Sequence, residues 1–348
     1  MKKIKTRWIQ AAATLKARPG GHKQGRIYKA ARTTGSIVST LLLLCLFAIP
    51  VAGQTPQDYY DTLQIGGIRQ VIRVQGKAGA PLLLFLHGGP GSSRMAQADK
   101  FSKQLQEHFT VVQWDQRETG RTLQCNTTKG PITLAMMEQD TEALVDTLLH
   151  RFAQEKLYLA GESWGTVPGF YMAGRHPDKL HAYLAFSPVI DQLKSERMLI
   201  VLLQDYALMA HNKEAQRELL SVKIPFREAR DLYYSRKWLF TYNDEPIADK
   251  DTAVMKSYLE TWSATWLPVW NAALQRNLLK TLPEIKCPVY FFIGGKDLQT
   301  NCTIAKSYYE SLKAPAKALF WYKDAGHSLL VTEAPEVQRT IIEKILRQ

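Results

Sequence analysis

Apolar residues along the chain form short runs separated by polar segments, and these runs predict alternating strands and helices. Strands are predicted at residues 62–76 (a hairpin), 82–86, 109–114, 157–160, 181–186, 287–293 and 318–322. The run at 82–86 lacks alternation, as expected of a strand that is buried on both faces. Helices are predicted at 133–152, after strand 157–160 as far as 175, and at 334–347. Strand-then-helix units of about 25 to 45 residues predict a doubly wound, mostly parallel sheet.

The alternation stops between residues 189 and 283, where the pattern is helical and rich in large aromatic side chains. Tyr258, Trp262, Trp266 and Trp270 are spaced by four residues and therefore share one face of a helix. We interpret this stripe as core packing, with direct ligand contact as the alternative. A helical block between two strands of such a sheet predicts a lid.

These patterns divide the chain into a leader, one α/β core in two parts, and a helical cap inserted after the sixth strand. The predicted boundaries are 1–53 for the leader, 54–188 and 284–348 for the core, and 189–283 for the cap. No internal repeat is visible in the sequence.

Strand 157–160 runs directly into Gly161-Glu162-Ser163-Trp164-Gly165. A G-x-S-x-G sequence between a strand and a helix is typical of a nucleophile elbow, a strained turn that points the serine hydroxyl away from the sheet. Glycine is needed on both sides because a side chain there would collide with the neighbouring strand or helix. Three fixed positions are a weak signal, and a surface turn is the alternative. The strand context and the partner residues described next favour Ser163 as a nucleophile.

A serine nucleophile needs a histidine base and an acid that orients the base, and on this type of sheet both follow the serine. Of the eight histidines, only His327 follows a late strand, and Gly326 lets its loop turn tightly. A histidine in a surface loop is the alternative. We predict Asp297, which follows strand 287–293 and two glycines, as the acid. Asp324 competes for this role, although we interpret it as a residue that shapes the His327 loop.

Acyl transfer also needs N–H groups aimed at the developing oxyanion, and each lost donor costs roughly 3 kcal/mol. We predict the amide of Trp164 as one donor and the amide of Gly89, in His87-Gly88-Gly89-Pro90-Gly91, as the other. His87 is interpreted as structural, and Glu162 as pointing away from the site or lying at its rim. The sequence shows no metal-ligand cluster, no G-x-G-x-x-G and no phosphate loop. The predicted chemistry therefore needs neither a cofactor nor a metal.

Together these features resemble the prolyl aminopeptidase group of α/β-hydrolases. The resemblance rests on His87-Gly88-Gly89-Pro90-Gly91, Asp115-Gln116-Arg117, the Ser163 elbow, Asp297 and His327, and spans about residues 63–347. It implies an α/β-hydrolase fold with a helical cap, and Ser163, Asp297 and His327 as the triad of a serine peptidase.

This sequence departs from the motifs of that group in two loops and in the residues expected to bind the substrate amine. Glu118 stands where the group usually has glycine after D-Q-R, and Glu162 stands where a second elbow glycine is common. Prolyl aminopeptidases bind the substrate amine through cap glutamates, often near W-x-x-W-E, whereas here Trp270 is followed by Asn271. The candidate amine-binding residues, which no motif places, are Glu196, Glu228 and Glu260.

The net charge of +13 is concentrated at the amino end of the chain. Ten of the 45 basic residues lie within the first 36 positions, and no acidic residue precedes Asp58. The remainder therefore carries 35 basic and 32 acidic residues, a net charge of only +3. The basicity belongs to the leader, so the sequence predicts no nucleic-acid partner.

The leader continues into an apolar run at residues 37–52. Its 16 residues would span about 24 Å as a helix, less than the roughly 30 Å of a bilayer core. We favour an export signal cleaved near Gly53, with an uncleaved membrane tether as the alternative. Both the cleaved signal and the uncleaved tether place the domain outside the cytoplasm. The exported domain would be periplasmic or secreted, and the tethered one would stay anchored to the membrane. An exported chain permits a disulfide, for which Cys125 and Cys302 are the favoured pair, while Cys45 lies in the leader and Cys287 is interpreted as a buried thiol.

The sequence thus predicts a serine hydrolase that works through an acyl-enzyme. An aminopeptidase acting on short peptides, with proline at the amino end as one option, is the leading hypothesis. A carboxylesterase or lactonase using the same triad is the alternative, and a catalytically silent binding protein is a third hypothesis. The expected partner is a small peptide or ester substrate, and the oligomeric state is left open.

Overall fold

In the computed structural model, which describes residues 56–126 and 130–346, the predicted apolar runs form one eight-stranded sheet. The strands are β1 (Pro56–Ile65), β2 (Ile68–Lys77), β3 (Leu82–Leu86), β4 (Thr110–Asp115), β5 (Leu157–Glu162), β6 (Leu180–Phe186), β7 (Val289–Gly294) and β8 (Lys317–Tyr322). Their spatial order is β1-β2-β4-β3-β5-β6-β7-β8. From β4 to β8 every pairing is parallel, whereas β2 pairs antiparallel with β1 and β4. The predicted mostly parallel α/β fold is confirmed.

The opening hairpin of β1 and β2 lies at one side of the sheet, and its register shows which way it runs. Pro56 pairs with Lys77, and the neighbouring Gly76 pairs with Thr110, the first residue of β4. The last residue of β4, Asp115, lies at the edge where the parallel strands end. β1 therefore begins at the opposite edge of the sheet.

The helices cover the faces and one edge of this sheet. They are α1 (Ala98–Ser102), α2 (Gly120–Gln124), α3 (Leu134–Arg151), α4 (Thr166–Arg175), α5 (Gln192–Met209), α6 (Lys213–Ser221), α7 (Ala229–Tyr242), α8 (Asp249–Leu274), α9 (Leu278–Thr281), α10 (Cys302–Ser311), α11 (Leu329–Thr332) and α12 (Ala334–Ile341). A π-helix at Ile342–Leu346 extends the last of them. Thr133 caps α3, because its side chain accepts a hydrogen bond from the amide of Met136.

Both faces of the sheet are buried at its centre, as the uninterrupted apolar run of β3 predicts. Leu82, Leu84 and Leu86 belong to one hydrophobic cluster, while the alternate residues Leu83 and Phe85 belong to another. All five side chains are at most 3% exposed. With the faces covered, the carboxyl edge of the strands is the place where this architecture carries a site.

The helices α5 to α8 lie between β6 and β7. The aromatic stripe of α8 packs onto the turn after β5, since Trp164 lies 6.4 Å from Trp266 and 6.3 Å from Trp270 between ring centroids. Trp262, Trp266 and Trp270 are all buried, which agrees with core packing. This stripe joins the helical block to the carboxyl edge of the sheet.

The favoured disulfide between Cys125 and Cys302 is wrong, because both residues are free thiols. Cys125 follows α2, and its carbonyl accepts a hydrogen bond from Arg69 in β2. Cys302 begins α10 beside β7, five strands along the sheet, which corresponds to about 24 Å. Cys287 is buried, and burial raises the pKa of its thiol to about 12.

The predictions made for the leader, including the export signal, the tether at residues 37–52 and Cys45, lie outside the described residues. Among residues 56–126 and 130–346, no helix has both the length and the apolar character needed to cross a bilayer.

Candidate active site

A sharp turn between β5 and α4 presents Ser163. Residues Ser163–Gly165 form a short 3-10 turn, and Ser163 itself has a φ of 52°. A Cβ atom on Gly161 would lie 2.6 Å from the Gly165 carbonyl oxygen, and one on Gly165 would lie 2.0 Å from that of Leu86. These contacts explain why glycine is needed on both sides of the serine, and the turn has the geometry of a nucleophile elbow.

The left-handed backbone of Ser163 strains any residue other than glycine, at about 1 kcal/mol. We therefore expect Ser163→Gly to have a free energy of unfolding about 1 kcal/mol higher than that of Ser163→Ala. Urea denaturation of the two variants measures this difference. The matched control is Ser307, an exposed residue of α10, where glycine should be less stable than alanine. If the alanine variant is more stable than the glycine variant at both Ser163 and Ser307, the backbone of the elbow is not strained.

The structure brings Ser163, His327 and Asp297 together at the carboxyl edge of the sheet. They follow β5, β8 and β7 respectively. His327 Nε2 lies 3.0 Å from Ser163 Oγ, and His327 Nδ1 lies 2.9 Å from Asp297 Oδ2. Ser163 is 6% exposed and Asp297 1%. The three side chains thus form a continuous and largely buried hydrogen-bonded path.

The surroundings of Asp297 favour its ionised form. Its Oδ1 accepts hydrogen bonds from the amides of Gln299 at 2.9 Å and Thr300 at 3.0 Å, and its Oδ2 accepts one from Thr300 Oγ1 at 2.8 Å. Burial by itself would raise the pKa of Asp297, but the adjacent His327 and the bonds from Thr300 hold this pKa below its ordinary value. An ionised Asp297 leaves His327 Nδ1 as the donor and Nε2 as the acceptor facing Ser163.

Asp324, the competing acid, lies away from this path. Its side chain is 79% exposed and forms a 3.1 Å ion pair with Lys296. Ser187, which the sequence did not single out, donates a 3.0 Å hydrogen bond to the His327 carbonyl. The positions of Ser187 and Thr300 follow from the tertiary fold, and no local sequence signal marks them.

The glycine loop after β3 lies directly on the serine. A Cβ on Gly88 would be 3.3 Å from Ser163 Cβ, and one on Gly89, whose φ is 118°, would be 2.8 Å from the amide nitrogens of Gly91 and Ser92. A bulkier residue would therefore displace the loop. This arrangement brings the backbone of the loop that carries Gly89 beside the nucleophile, and Trp164 follows Ser163 in the chain.

Gln116, in the D-Q-R motif, ties this loop to the elbow. Its side chain donates to the His87 carbonyl at 3.1 Å and accepts from Trp164 Nε1 at 3.0 Å. Its backbone amide donates to His87 Nε2 at 3.2 Å, so this ring nitrogen carries no proton, and Nδ1 donates to the Gly88 carbonyl at 2.8 Å. His87 is buried between these partners, as its structural interpretation requires.

Burial lowers the pKa of His87 from 6.5 to about 4, despite the opposing hydrogen bond to Gly88. Between these two values the unfolded chain binds more protons, so the free energy of unfolding rises with pH across this window and levels off above it. The contribution is about 3 kcal/mol, present above pH 6.5 and lost as pH falls toward 4. We expect His87→Asn to reduce the stability difference between pH 4.5 and 7 measured by urea unfolding. The exposed His150→Asn is the control and should leave this difference unchanged.

The backbone of the loop after β4 shows why glycine suits the position that Glu118 occupies in this chain. Arg117 is buried in a two-bond ion pair with Asp140, at 2.8 Å for each bond. The next residue, Glu118, has a φ of 55°, in the left-handed region that glycine adopts at no steric cost. A glycine at this position is therefore the less strained choice.

Glu162 lies buried beside the glycine loop rather than at an exposed rim. It is 4% exposed, and both of its carboxylate oxygens accept hydrogen bonds from Arg94, at 2.8 and 2.9 Å. Arg94 lies just beyond the glycine loop and is 22% exposed. Neither residue of this pair was predicted as a partner of the other.

The three cap glutamates proposed for amine binding lie in different surroundings. Glu196 is fully buried and accepts two hydrogen bonds from Arg236, at 2.6 and 2.9 Å. Glu228 is exposed at the start of α7 and pairs with Arg230, and Glu260 is exposed on α8. The structure does not bring these carboxylates into the hydrogen-bonded path of Ser163. Their role in binding an amine stays a prediction.

Comparison with known proteins agrees with this architecture. A family model described as the alpha/beta hydrolase fold matches residues 81–334. The chain belongs to the α/β-hydrolase fold family. It is an enzyme, a serine hydrolase of the α/β-hydrolase type.

Two curated proteins of Bacillus subtilis (strain 168) are similar to this α/β-hydrolase. The "Probable aminopeptidase YbaC" is 28% identical over 294 residues, which cover 78% of this chain and 91% of that protein. The "Uncharacterized hydrolase YraK" is 30% identical over 135 residues, which cover 38% of this chain and 45% of that protein. The longer match extends over most of both chains.

Solved structures share the fold at low sequence identity. A proline iminopeptidase-related protein from Thermus thermophilus superposes with a TM-score of 0.56 at 19% identity, covering 82% of this chain and 98% of that one. An epoxide hydrolase from Vigna radiata gives a TM-score of 0.54 at 19% identity, covering 84% and 98%. Proteins of different chemistry therefore have this fold, so the fold alone does not set the substrate.

Proposed function

We propose that Ser163, His327 and Asp297 form the catalytic triad of a hydrolase that works through an acyl-enzyme. The observation that carries this proposal is the continuous path from Ser163 Oγ to His327 Nε2, at 3.0 Å, and from His327 Nδ1 to Asp297 Oδ2, at 2.9 Å. A base within hydrogen-bond reach of the nucleophile, itself oriented by a buried acid, is the arrangement that activates a serine.

In the proposed mechanism, Ser163 Oγ attacks the substrate carbonyl carbon while His327 Nε2 takes the hydroxyl proton. The ionised Asp297 holds the neutral imidazole in the required tautomer and stabilises the imidazolium that forms. In this proposal the amides of Gly89 and Trp164 donate hydrogen bonds to the carbonyl oxygen and stabilise the negative charge that develops on it. The leaving group departs with the proton from His327 Nε2. Water then attacks the acyl-enzyme by the same steps and regenerates Ser163.

We further propose that the substrates are short peptides from which the enzyme releases the amino-terminal residue. Two lines support this proposal: the similarity to a probable aminopeptidase over 78% of the chain, and the H-G-G-P-G, D-Q-R and S-W-G motifs of the prolyl aminopeptidase group. The helices between β6 and β7 are proposed as the lid. Ser163 is only 6% exposed beneath the aromatic stripe of α8, so a small substrate suits this site better than a folded protein.

A carboxylesterase is the second candidate, and the surroundings of the cap glutamates favour it. A peptide amine needs a carboxylate that is free to pair with it. Glu196 is already neutralised by Arg236, while Glu228 and Glu260 face solvent. An ester substrate requires no such partner.

Hydrolysis of a matched substrate panel tests these proposals. The panel holds Pro-, Ala- and Leu-anilides, the same anilides with blocked amino groups, and short-chain esters, each given to the wild-type enzyme and to Ser163→Ala. Turnover restricted to free-amine anilides and lost in the variant supports the aminopeptidase. Turnover of esters and blocked anilides alone overturns the peptidase proposal in favour of the esterase. Absence of turnover in both proteins favours a silent binding protein.

We also propose that the enzyme is exported, with cleavage near Gly53 or tethering through residues 37–52. The support comes from the sequence alone: a basic segment followed by a 16-residue apolar run. Fractionation of cells that express the full chain, with amino-terminal sequencing of the product, tests this proposal. Full-length protein in the cytoplasm would contradict it.

A further inference from the structure

We propose that Arg94 and Glu162 are positioning residues that hold the oxyanion loop, defined as residues 88–94, against the nucleophile. The inference deepens the proposed acyl-transfer function and rests on it. It concerns two residues outside the triad, one at the end of the loop and the other immediately before Ser163 in the chain.

The geometry of the pair is well suited to holding two segments in register. Arg94 Nε donates to Glu162 Oε2 at 2.9 Å, and Arg94 Nη2 donates to Glu162 Oε1 at 2.8 Å. Two parallel bonds of this kind fix orientation as well as distance. Because Glu162 is the last residue of β5 and Ser163 follows it, a constraint on Glu162 acts one residue from the nucleophile.

The oxyanion loop needs such a constraint because Pro90 carries the one side chain in its first half. Three of the residues from 88 to 91 are glycines, so contacts at the flanks and with the cap set the position of the Gly89 amide. Gln116 holds the near flank through His87, and Trp262 Nε1 donates to the Pro90 carbonyl at 2.8 Å. The ion pair connects the far end of the loop to the strand that carries the nucleophile.

Charge gives the pair a second effect on the transition state. The Glu162 carboxylate is buried near Gly88, since a Cβ on Gly88 would lie 3.8 Å from Glu162 Oε2 and 3.3 Å from Ser163 Cβ. A bare carboxylate there would oppose the negative charge that develops on the substrate oxygen. The Arg94 guanidinium neutralises it. Loss of Arg94 should therefore destabilise the transition state more than the bound substrate. Such a change lowers kcat and leaves KM nearly unchanged.

The test compares Arg94→Gln, Arg94→Lys and the double variant Arg94→Gln/Glu162→Gln with the wild-type enzyme and with Ser163→Ala, on the substrate of the panel that the wild-type enzyme turns over best. We expect Arg94→Gln to lower kcat by about 30- to 100-fold, less than the roughly 100- to 1000-fold loss caused by removal of one oxyanion donor, with KM within about twofold. The kcat of Arg94→Lys should lie between those of the wild-type enzyme and Arg94→Gln, because an ammonium keeps the charge without the two-bond geometry. The double variant should have a kcat at least about tenfold higher than that of Arg94→Gln, since it buries no unpaired charge.

Arg276→Gln is the matched control. Arg276 pairs with Glu138 and is 39% exposed while Glu138 is 8% exposed, so this pair also joins a partly exposed arginine to a buried glutamate. It links the end of α8 to α3. Thermal denaturation of all variants reports stability. We expect a similar drop in Tm for the two single glutamine variants, and a loss of kcat only for Arg94→Gln.

Three results would overturn the proposal: an unchanged kcat in Arg94→Gln, equal losses of kcat in Arg94→Gln and Arg276→Gln, or no recovery in the double variant. The second result would assign the pair to stability alone. Failure of the proposed function has a different signature, because the wild-type turnover would then persist in Ser163→Ala.

Discussion

Replacing Ser163 by alanine is expected to lower kcat/KM on the preferred substrate by about 10⁵- to 10⁶-fold. The reason is that His327 Nε2, 3.0 Å from the hydroxyl, then has no nucleophile to activate, while the remaining groups provide only residual catalysis. Steady-state kinetics at high enzyme concentration, or single-turnover measurements, cover this range.

Binding and stability should change little in the same variant. Alanine carries the same backbone strain as serine at a φ of 52°, and the removed hydroxyl is small, so Tm and substrate affinity should stay close to wild type. Ser307→Ala, on the exposed face of α10, serves as the activity control. Residual activity of more than about 1% in Ser163→Ala would mean that another group carries the reaction.

Asp297→Asn is expected to lower kcat by about 10⁴-fold while KM changes little. The amides of Gln299 and Thr300 both donate to Oδ1, so an asparagine would keep its carbonyl at that position. Its NH₂ group would then replace Oδ2 and donate to His327 Nδ1. The imidazole would carry its proton on Nε2, where it cannot accept the proton of Ser163. Kinetics of the variant across pH 6–9 measure the loss.

Asp324→Asn is the control for this prediction, because Asp324 lies three residues before His327 in the chain and is the competing candidate for the acid. Its side chain is exposed and pairs with Lys296, so the substitution should leave kcat within about twofold. A large loss in Asp324→Asn together with a small loss in Asp297→Asn would reverse the assignment of the acid.

Short-range patterns predicted the sheet and the three residues that meet at its edge. The central strands, which are buried on both faces, have uninterrupted apolar sequences. Each of Ser163, Asp297 and His327 lies within five residues of the end of a strand. Parallel strands deliver the residues that follow them to one edge, so chain order was enough to bring these residues together. The glycines flanking Ser163 added a local steric signal.

The contacts around that edge could not be predicted in the same way. Arg94 and Glu162 are 68 residues apart, and Glu196 and Arg236 are 40 apart, so no local spacing connects the members of either pair. The disulfide hypothesis failed for a related reason: position after a strand does not indicate which strands are neighbours. Cys125 and Cys302 both follow strands, but those strands belong to distant parts of the sheet.

The direction of the opening hairpin determines which side of the enzyme faces an object that is attached at the start of β1. Pro56 pairs with Lys77 beside the first residue of β4, whereas Ser163, His327 and Asp297 lie at the edge where the parallel strands end. The length of a six-residue strand, about 20 Å, therefore separates Pro56 from these three residues. A bead or a fused protein joined directly at Pro56 would lie at the edge of the sheet opposite Ser163. The edge that carries Ser163, His327 and Asp297 would then face away from the attachment point.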